Sequence, residues 1–224
     1  YNFLMKVNYH AHTKRCGHAE NEMEEYVLAA INEGYDILGF SDHAPFKGIS
    51  QKGIRMEYDE LDDYINEFNY LKEKYKDKIE LHLGLEIEYM KKYEDYYRFL
   101  LNEKKIEYLL LGQHCFINDN NEFEWYGRKN SSIRAKDMIE GMKTGFFSYC
   151  AHPDIFINEE SVNTEEVKKL TQIVIQTSID YDIPLEINAQ GVLVGEKLEI
   201  DAYYPFESFW KEVGKSKAKV IIGV

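Results

Sequence analysis

The chain has 224 residues, 44% of them hydrophobic, and a formal net charge of −13 that arises from 40 acidic and 27 basic residues. This length and composition predict one globular domain with a sizeable core. The acidic balance disfavours nucleic acid and anionic membrane surfaces as partners, and no apolar run reaches the roughly 18 residues of a membrane span. We expect no secretion signal at the N-terminus. Three cysteines without a disulfide spacing favour the cytoplasm.

Strand-like segments alternate with helical patterns along the whole chain. We predict seven strands, over Phe3–Tyr9, Asp36–Phe40, Ile79–Glu88, Glu107–Gly112, Phe146–Ala151, Ile183–Asn188 and Ala218–Val224. Helical patterns are predicted after Asn21, around Leu61–Leu71, and over Tyr93–Lys104, Ser131–Lys143, Asn163–Tyr181 and Phe206–Lys217. Alternation of this kind predicts a parallel sheet, and seven repeats favour a barrel over an open sheet.

The first helical pattern is the clearest. Its apolar residues recur at helical spacing, at Met23, Tyr26, Val27, Ala30 and Ile31. Asn21 and Glu24 predict a capping box at its start, and Gly34 predicts its end. Two other helices have one apolar stripe each, consisting of Leu61, Tyr64, Ile65, Phe68 and Leu71 in one and of Val167, Leu170, Ile173 and Val174 in the other.

Six of the seven histidines lie in short motifs directly after strand-like segments. They are His10, His12, His18, His43, His114 and His152. Residues two apart in a strand point to the same face, so His10 and His12 can converge on one ion. The carboxyl ends of the strands in a parallel barrel share one face, where such barrels perform chemistry. Because neutral imidazole binds Zn, Fe and Mn, this pattern predicts a centre of two to three divalent metal ions.

Carboxylates and an amide accompany these histidines. Glu86 is the candidate metal ligand of the third strand, and Glu88 on the same side is the alternative, because a charge in an apolar strand is costly to bury unless it is paired or bound to a metal. Asp42 either orients a ligand imidazole or caps the following turn, and Asn188 is predicted to support a ligand. The cysteines near the motifs are Cys16, Cys115 and Cys150, which are either plain packing residues or thiolate ligands. His82, inside a strand, is predicted to be structural.

Two long excursions follow motif histidines, at Lys47–Glu57 and Phe116–Asn130, and could shape a substrate pocket. Arginine forks suit phosphate. We therefore predict substrate contacts at Arg15, Arg55 and Arg128, although each of them could instead form a surface ion pair.

Six motifs contain these candidate residues: His10-Ala11-His12-Thr13, Cys16-Gly17-His18-Ala19, Gly39-Phe40-Ser41-Asp42-His43-Ala44-Pro45, Gly84-Leu85-Glu86, Gly112-Gln113-His114 and Ala151-His152-Pro153. Together they resemble the PHP (polymerase and histidinol phosphatase) superfamily and, within it, the histidinol-phosphate phosphatases. The resemblance covers the chain from about Val7 onward. It implies a distorted (β/α)7 barrel and three metal ions.

The resemblance also implies how the ligands are shared. The first ion would be held by His10, His12 and Glu86, with Glu86 bridging to a second ion that His114 and His152 complete; His18 and His43 would hold the third. The family has one further Asp-x-His motif after the seventh strand, where this sequence stops at 220–224. We therefore expect the last βα unit to be incomplete within a single domain that spans 1–224.

The resulting hypothesis is a metal-dependent phosphomonoesterase that hydrolyses L-histidinol phosphate in histidine biosynthesis. A hydroxide that bridges two ions would attack phosphorus, with Glu86, His114 and His152 as catalytic residues. The alternatives are a PHP phosphoesterase for another phosphomonoester, a phosphoprotein or a nucleic-acid end, and a non-catalytic metal-binding module. We expect a small phosphorylated substrate as the partner and make no prediction of oligomeric state.

Overall fold

The computed structural model describes residues 5–126, 131–158, 160–193 and 204–223. The chain divides into two compact units, one formed by residues 1–86 and 105–108 and the other by residues 87–104 and 109–224. The prediction of a single domain over 1–224 stays a prediction.

The first unit is built from three parallel strands and two helices. The strands are β1 (Val7–Ala11), β2 (Ile37–Phe40) and β3 (Glu80–Ile87, all but its last residue). The helices are α1 (Met23–Asn32) and α2 (Leu61–Tyr75). Val7 pairs with Ile37, and Ile37 pairs in turn with Glu80, so β2 lies between β1 and β3. All four residues of β2 are buried, which is why this strand is continuously apolar.

Both helices bury the stripes that the sequence predicted, with small differences. Buried residues are Met23, Val27 and Ala30 in α1, and Leu61, Tyr64, Phe68, Leu71 and Tyr75 in α2. The predicted capping box of α1 was one residue off. Glu22 and Glu25 form the box, and α1 begins at Met23. Two glutamates can form this reciprocal pair because a carboxylate accepts from a backbone N–H as a hydroxyl does.

Tyr108 fills the interior of the first unit. Its hydroxyl lies 2.8 Å from the carbonyl oxygen of Tyr9 and 2.9 Å from that of Phe40. A Cβ atom at Gly84 would lie 2.3 Å from its ring, and one at Gly39 would lie 2.3 Å from its hydroxyl oxygen. Two glycines in buried strands therefore make room for one aromatic ring.

The second unit has four parallel strands, which neighbour one another in chain order. These are β4 (Tyr108–Leu111, all but its first residue), β7 (Tyr149–Cys150), β8 (Leu185–Asn188) and β9 (Val220–Gly223). Its helices are α3 (Glu94–Asn102), α4 (Ser131–Met142), α5 (Glu165–Asp180) and α6 (Glu207–Val213). The seven parallel strands of the described residues match the seven predicted, each within a few residues at its ends.

The predicted excursion after the fourth strand contains regular structure. A hairpin formed by β5 (Cys115–Ile117) and β6 (Phe123–Trp125) occupies part of it. In α5, Thr164 is the N-cap and its hydroxyl accepts from the amide of Val167. The prediction that Ile173 shares the buried face of α5 was wrong: its side chain is exposed, and Thr171 is buried in the stripe instead.

Asp154 ties α6 to the turn that follows β7. Its Oδ2 atom accepts from the backbone N–H of Phe206 at 2.6 Å and from Nε1 of Trp210 at 3.1 Å. The carboxylate is 1% exposed, and this burial raises its pKa to about 6. The two hydrogen bonds to Oδ2 of Asp154 hold α6 in place. The lack of solvent around the carboxylate disfavours its charged form.

We expect this carboxylate to make the second unit less stable as the pH rises. Because its folded pKa is raised, the folded state binds more protons than the unfolded state between about pH 4 and pH 6, and stability falls across that window. Asp154→Asn keeps one oxygen acceptor and removes the charge. Its free energy of unfolding relative to wild type should therefore rise by roughly 2–3 kcal/mol from pH 4 to pH 7, measured by urea denaturation. A constant difference across this range would contradict the prediction.

Among the described residues, no helix has both the length and the apolar character needed to cross a membrane.

Candidate metal centre

Four imidazoles and one carboxylate of the first unit converge on a common centre. Oε2 of Glu86 lies 3.3 Å from Nε2 of His10, 3.3 Å from Nε2 of His12 and 3.3 Å from Nδ1 of His43. His12, His18 and His43 form a second group of possible ligands in which the candidate atoms lie within 4.8 Å of one another. We call these five residues the first cluster.

The parallel strands account for this convergence. His10 lies in β1, and a backbone bridge pairs His43, after β2, with Glu86 near the end of β3. The backbone N–H of Ala44 donates to the carbonyl of Glu86 at 2.9 Å, which fixes the two segments side by side. His18 is brought in by the 3₁₀ turn Lys14–Cys16, which ends at Gly17 with φ +69°. A Cβ atom at Gly17 would lie 2.2 Å from the carbonyl oxygen of Gly53, so only glycine fits there.

Asp42 fixes the turn that carries His18. Oδ1 of Asp42 accepts from the backbone N–H of Thr13 at 2.8 Å and from Sγ of Cys16 at 2.9 Å, and Oδ2 accepts from the Thr13 hydroxyl at 3.0 Å. Asp42 therefore holds the turn that follows β1, where the sequence had suggested either an imidazole contact or a cap on its own turn. Burial, followed by the charge of Asp42, raises the pKa of the Cys16 thiol well above its usual value.

The donor set of the first cluster fits a divalent metal ion. Glu86 is 1% exposed and His10 is 3% exposed, and a buried carboxylate is costly unless it is paired or metal-bound. Nε2 of His10 and Nε2 of His12 lie 3.0 Å apart, close enough for both atoms to bind one ion. Nitrogen and carboxylate oxygen ligands suit Zn, Mn and Fe. The pKa of His18 lies below its usual value, because of desolvation and the nearby His12 imidazole, so the neutral form that binds metal is favoured.

The second unit brings two further histidines together. Nε2 of His114 lies 3.3 Å from Nε2 of His152, and their ring centroids are 4.9 Å apart. Nδ1 of His114 lies 3.3 Å from Oε1 of Glu88. A carboxylate at one ring nitrogen orients the imidazole and leaves the other nitrogen for a ligand. Glu88, the alternative ligand from the sequence, thus contacts His114, while Glu86 belongs to the first cluster.

His152 has an unusual backbone conformation. Its φ of 31° and ψ of 60° lie in the left-handed region, which costs a non-glycine residue about 1–3 kcal/mol. Its backbone N–H donates to Oε2 of Glu186 at 3.1 Å, and Nδ2 of Asn188 donates to the same oxygen at 3.1 Å. Asn188, which the sequence predicted to support a ligand, therefore contacts Glu186, and Glu186 in turn holds the backbone of His152.

Arg134 of α4 connects the two segments that carry these histidines. Nη2 donates to the carbonyl of His114 at 3.1 Å, and Nη1 donates to the carbonyl of Ile155 at 2.6 Å. The guanidinium also lies 5.2 Å from the centre of the Tyr126 ring. Burial lowers its pKa. Arg134 therefore holds two backbone segments in place, one with each terminal nitrogen of its side chain.

The arginines that the sequence proposed as substrate contacts have other neighbours. Arg15 forms an ion pair with Glu67 at 2.8 Å. Arg55 is 3% exposed, and it donates to the carbonyl of Ala44 at 2.8 Å and to Oε1 of Gln51 at 2.7 Å. Both line a cavity of about 600 Å³ in the first unit. Arg128 lies outside the described residues. Their contact with substrate stays a prediction.

Sequence reasoning missed Glu186 and underrated Cys16. Glu186 is 1% exposed and lies in the apolar strand β8, so the signal that singled out Glu86 was also present there. Cys16 contacts His12, Asp42 and His43, and no sequence pattern distinguishes such a thiol from a packing residue. Nε2 of His82 lies 2.8 Å from Oε1 of Glu80, and Nδ1 lies 2.5 Å from Oε2 of Glu107; its structural role stays a prediction.

Comparisons with known proteins agree with this picture. The chain is 28% identical over 154 residues, 65% of its own length and 59% of the other, to a "probable histidinol-phosphatase" of Deinococcus radiodurans. It is 30% identical over 98 residues, 41% of its length and 37% of the other, to the histidinol-phosphatase of Bacillus subtilis. The chain thus spans less than two thirds of these relatives.

A solved structure shows the fold. The histidinol phosphate phosphatase of Lactococcus lactis, complexed with zinc, L-histidinol and phosphate, aligns with a TM-score of 0.71 at 18% identity, over 98% of this chain and 85% of the other. The predicted α/β fold, a distorted (β/α)7 barrel, is confirmed by this likeness. The model of the PHP domain matches residues 8–190, which is most of the chain. This chain therefore belongs to the PHP domain family.

Proposed function

We propose that this protein is a metal-dependent phosphomonoesterase that hydrolyses L-histidinol phosphate to L-histidinol and phosphate. The observation that carries the proposal is the first cluster, in which one buried carboxylate oxygen lies within 3.3 Å of three imidazole nitrogens. Its substrate is inferred from the names of the relatives, which are histidinol-phosphatases.

Bound divalent ions would supply Lewis-acid charge that activates water and neutralises the phosphoryl oxygens. His10, His12 and Glu86 would hold one ion, and His18 and His43 another. Zinc is favoured because the Lactococcus lactis protein was solved with it, and iron and manganese suit the same donors. Glu86 contributes the one negative charge of this cluster. It would therefore reduce the net positive charge that the bound ions present to a phosphate group.

In the second unit, we propose that His114 and His152 bind a further ion through their facing Nε2 atoms. Glu88 would keep the proton on Nδ1 of His114, which leaves Nε2 to donate its lone pair. The left-handed backbone of His152 is held by Glu186 and by Arg134 through the turn at Ile155. Rigid support of this kind is what a ligand pair needs, because misplacement by about 1 Å is costly to catalysis.

Substrate selection is proposed to involve the cavity that adjoins the turn of the first cluster. Gly17, between Cys16 and His18, is part of its wall, together with the side chains of Arg15 and Arg55. The acidic residues of the same wall, Glu57, Asp59 and Glu60, would favour a substrate that carries an ammonium group beside its phosphate. We expect a small phosphorylated molecule as the partner, and an acidic protein of this kind should bind nucleic acid poorly.

The test is release of phosphate from L-histidinol phosphate and from a panel of other phosphomonoesters. The panel should include a phosphopeptide and a 3′-phosphorylated oligonucleotide, with the protein loaded in turn with zinc, manganese or iron. We expect histidinol phosphate to be preferred by at least about 100-fold in kcat/KM, since one lost ionic or hydrogen-bonded contact in a built site costs this much. Chelation of the metal should abolish the activity.

Two results would contradict the proposal. Comparable hydrolysis of all small esters would retain the metal centre and reject the substrate. Stoichiometric metal binding without hydrolysis of any ester would favour a non-catalytic metal-binding module. His114→Ala serves as the control for metal-dependent activity. His82→Ala, which lies outside the first cluster and the pair His114 and His152, serves as the control for loss of any histidine.

A further inference from the structure

We propose that Cys16 is a positioning residue whose thiol links the carboxylate of Asp42 to the imidazole of His12, and so fixes the nitrogen through which His12 binds metal. The inference rests on the proposed metal site of the first cluster. It assigns a function to Cys16, for which the sequence pattern indicated only a packing residue or a thiolate ligand.

Three polar groups surround the sulfur atom. Sγ of Cys16 lies 2.9 Å from Oδ1 of Asp42, 2.9 Å from the backbone nitrogen of His43 and 3.4 Å from Nδ1 of His12. The side chain is completely buried. One sulfur atom thus contacts the turn after β1 and the segment after β2, which both carry proposed ligands.

The position of the thiol proton follows from these neighbours. The backbone nitrogen of His43 is a donor, so the sulfur accepts there. Asp42 presents a carboxylate oxygen that already accepts from the amide of Thr13, so the thiol donates to it. A thiolate at this place would set two negative charges 2.9 Å apart in a buried site, which is strongly unfavourable.

The tautomer of His12 is then determined. With its only proton directed at Asp42, the sulfur can interact with Nδ1 of His12 only as an acceptor, so Nδ1 carries the hydrogen. Nε2 keeps its lone pair, and this atom faces Nε2 of His10 at 3.0 Å and Oε2 of Glu86 at 3.3 Å. The Asp42–Cys16–His12 chain therefore performs through a thiol what a carboxylate usually does for a ligand histidine by direct contact.

This assignment differs from ligation by Cys16. If the thiolate bound metal together with His12, the ligand atom of His12 would be Nδ1, which faces away from Glu86. A single neutral imidazole cannot serve both sides, and Nε2 of His12 lies 3.0 Å from Nε2 of His10 and 3.3 Å from Oε2 of Glu86, which are both proposed ligand atoms.

Three variants separate these possibilities. Cys16→Ala removes the link, Cys16→Ser replaces it with a hydroxyl that can donate and accept in the same directions, and Phe68→Leu removes buried volume from α2, where the Phe68 ring packs against Phe40. Zinc affinity is measured by competition with a chelator. We expect Cys16→Ala to weaken binding by about 10–100-fold, as removal of a ligand's supporting group does, and Cys16→Ser to restore it to within a few-fold of wild type.

A second measurement requires neither bound metal nor activity. The ¹⁵N spectrum of the histidines in metal-free protein, assigned with His12→Gln, should show His12 protonated at Nδ1 in wild type and in Cys16→Ser. An Nε2-protonated His12 in wild type, or equal zinc affinity of Cys16→Ala and Phe68→Leu, would overturn the proposal. A sulfur-to-cobalt charge-transfer band in the Co²⁺ wild type would also overturn it, because Cys16 would then be a ligand. If wild type bound no metal at all, the proposed function would fail, while the spectrum would still decide the tautomer.

Discussion

Glu86→Gln is expected to release metal from the first cluster and to lower phosphatase activity by about 10³-fold or more, since a metal ion supplies several kcal/mol of transition-state stabilisation. The substitution is nearly isosteric but removes the negative charge that lies 3.3 Å from three imidazole nitrogens. It also places an amide, with its own hydrogens, against nitrogens that must present lone pairs.

The measurement is metal content by mass spectrometry beside kcat/KM on L-histidinol phosphate. Glu80→Gln is the matched control, because Glu80 begins the same strand, β3, and contacts His82 outside the cluster. Thermal unfolding of both variants shows whether the fold survives, and Glu86→Gln should retain it because a neutral side chain is cheaper to bury than a carboxylate. Full metal content with unchanged activity in Glu86→Gln would refute the assignment of Glu86 as a ligand.

The largest effect on stability is expected at Tyr108. Tyr108→Ala should lower the free energy of unfolding by about 3–5 kcal/mol, because it removes a buried ring and leaves a cavity. Tyr108→Phe keeps the ring and removes only the hydroxyl that donates toward the carbonyls of Tyr9 and Phe40, so a loss of roughly 1 kcal/mol is expected. Both values come from urea denaturation.

A double-mutant cycle between Tyr108 and Gly84 tests whether the ring of Tyr108 occupies the space that Gly84 leaves free. In wild type, Gly84→Ala places a Cβ atom 2.3 Å from the Tyr108 ring and should be strongly destabilising. In the Tyr108→Ala background the same change has space, so it should be nearly neutral or stabilising. Additive effects in the double-mutant cycle would show that ring and glycine are not in the contact described.

Much of the fold was predictable because its determinants are local. The strands β1, β2 and β4 and the helices α1 and α2 follow from apolar runs and helical spacing, which depend on neighbours in sequence. The errors were also local in origin. The capping box of α1 shifted by one residue, since Glu22 caps the helix in place of the predicted Asn21. The hairpin of β5 and β6 was missed because its strands have only three residues each.

The candidate site was predictable to the extent that it consists of histidines after strands. The structure brings together His10, His12, His18 and His43 in one unit, and His114 with His152 in the other. It places Glu86, rather than Glu88, in the first cluster, because the bridge to His43 is made by the backbone of Glu86. Whether an arginine contacts a substrate was not predictable, since arginine pairs as readily with carboxylates and carbonyls as with phosphate.

The sequence by itself determined the α/β repeat, the motif histidines and the membership in the PHP domain family. Strand and helix periodicity and the spacing of the candidate ligands depend only on residues that are close together in the sequence. Only the tertiary structure decided which groups support the candidate ligands. Asp42 acts on the turn of Thr13 and Cys16, Glu186 holds His152, and Arg134 joins two segments. These contacts connect residues 20 to 34 positions apart, and the packing of strands and helices, rather than any local pattern, brings such residues within hydrogen-bond distance.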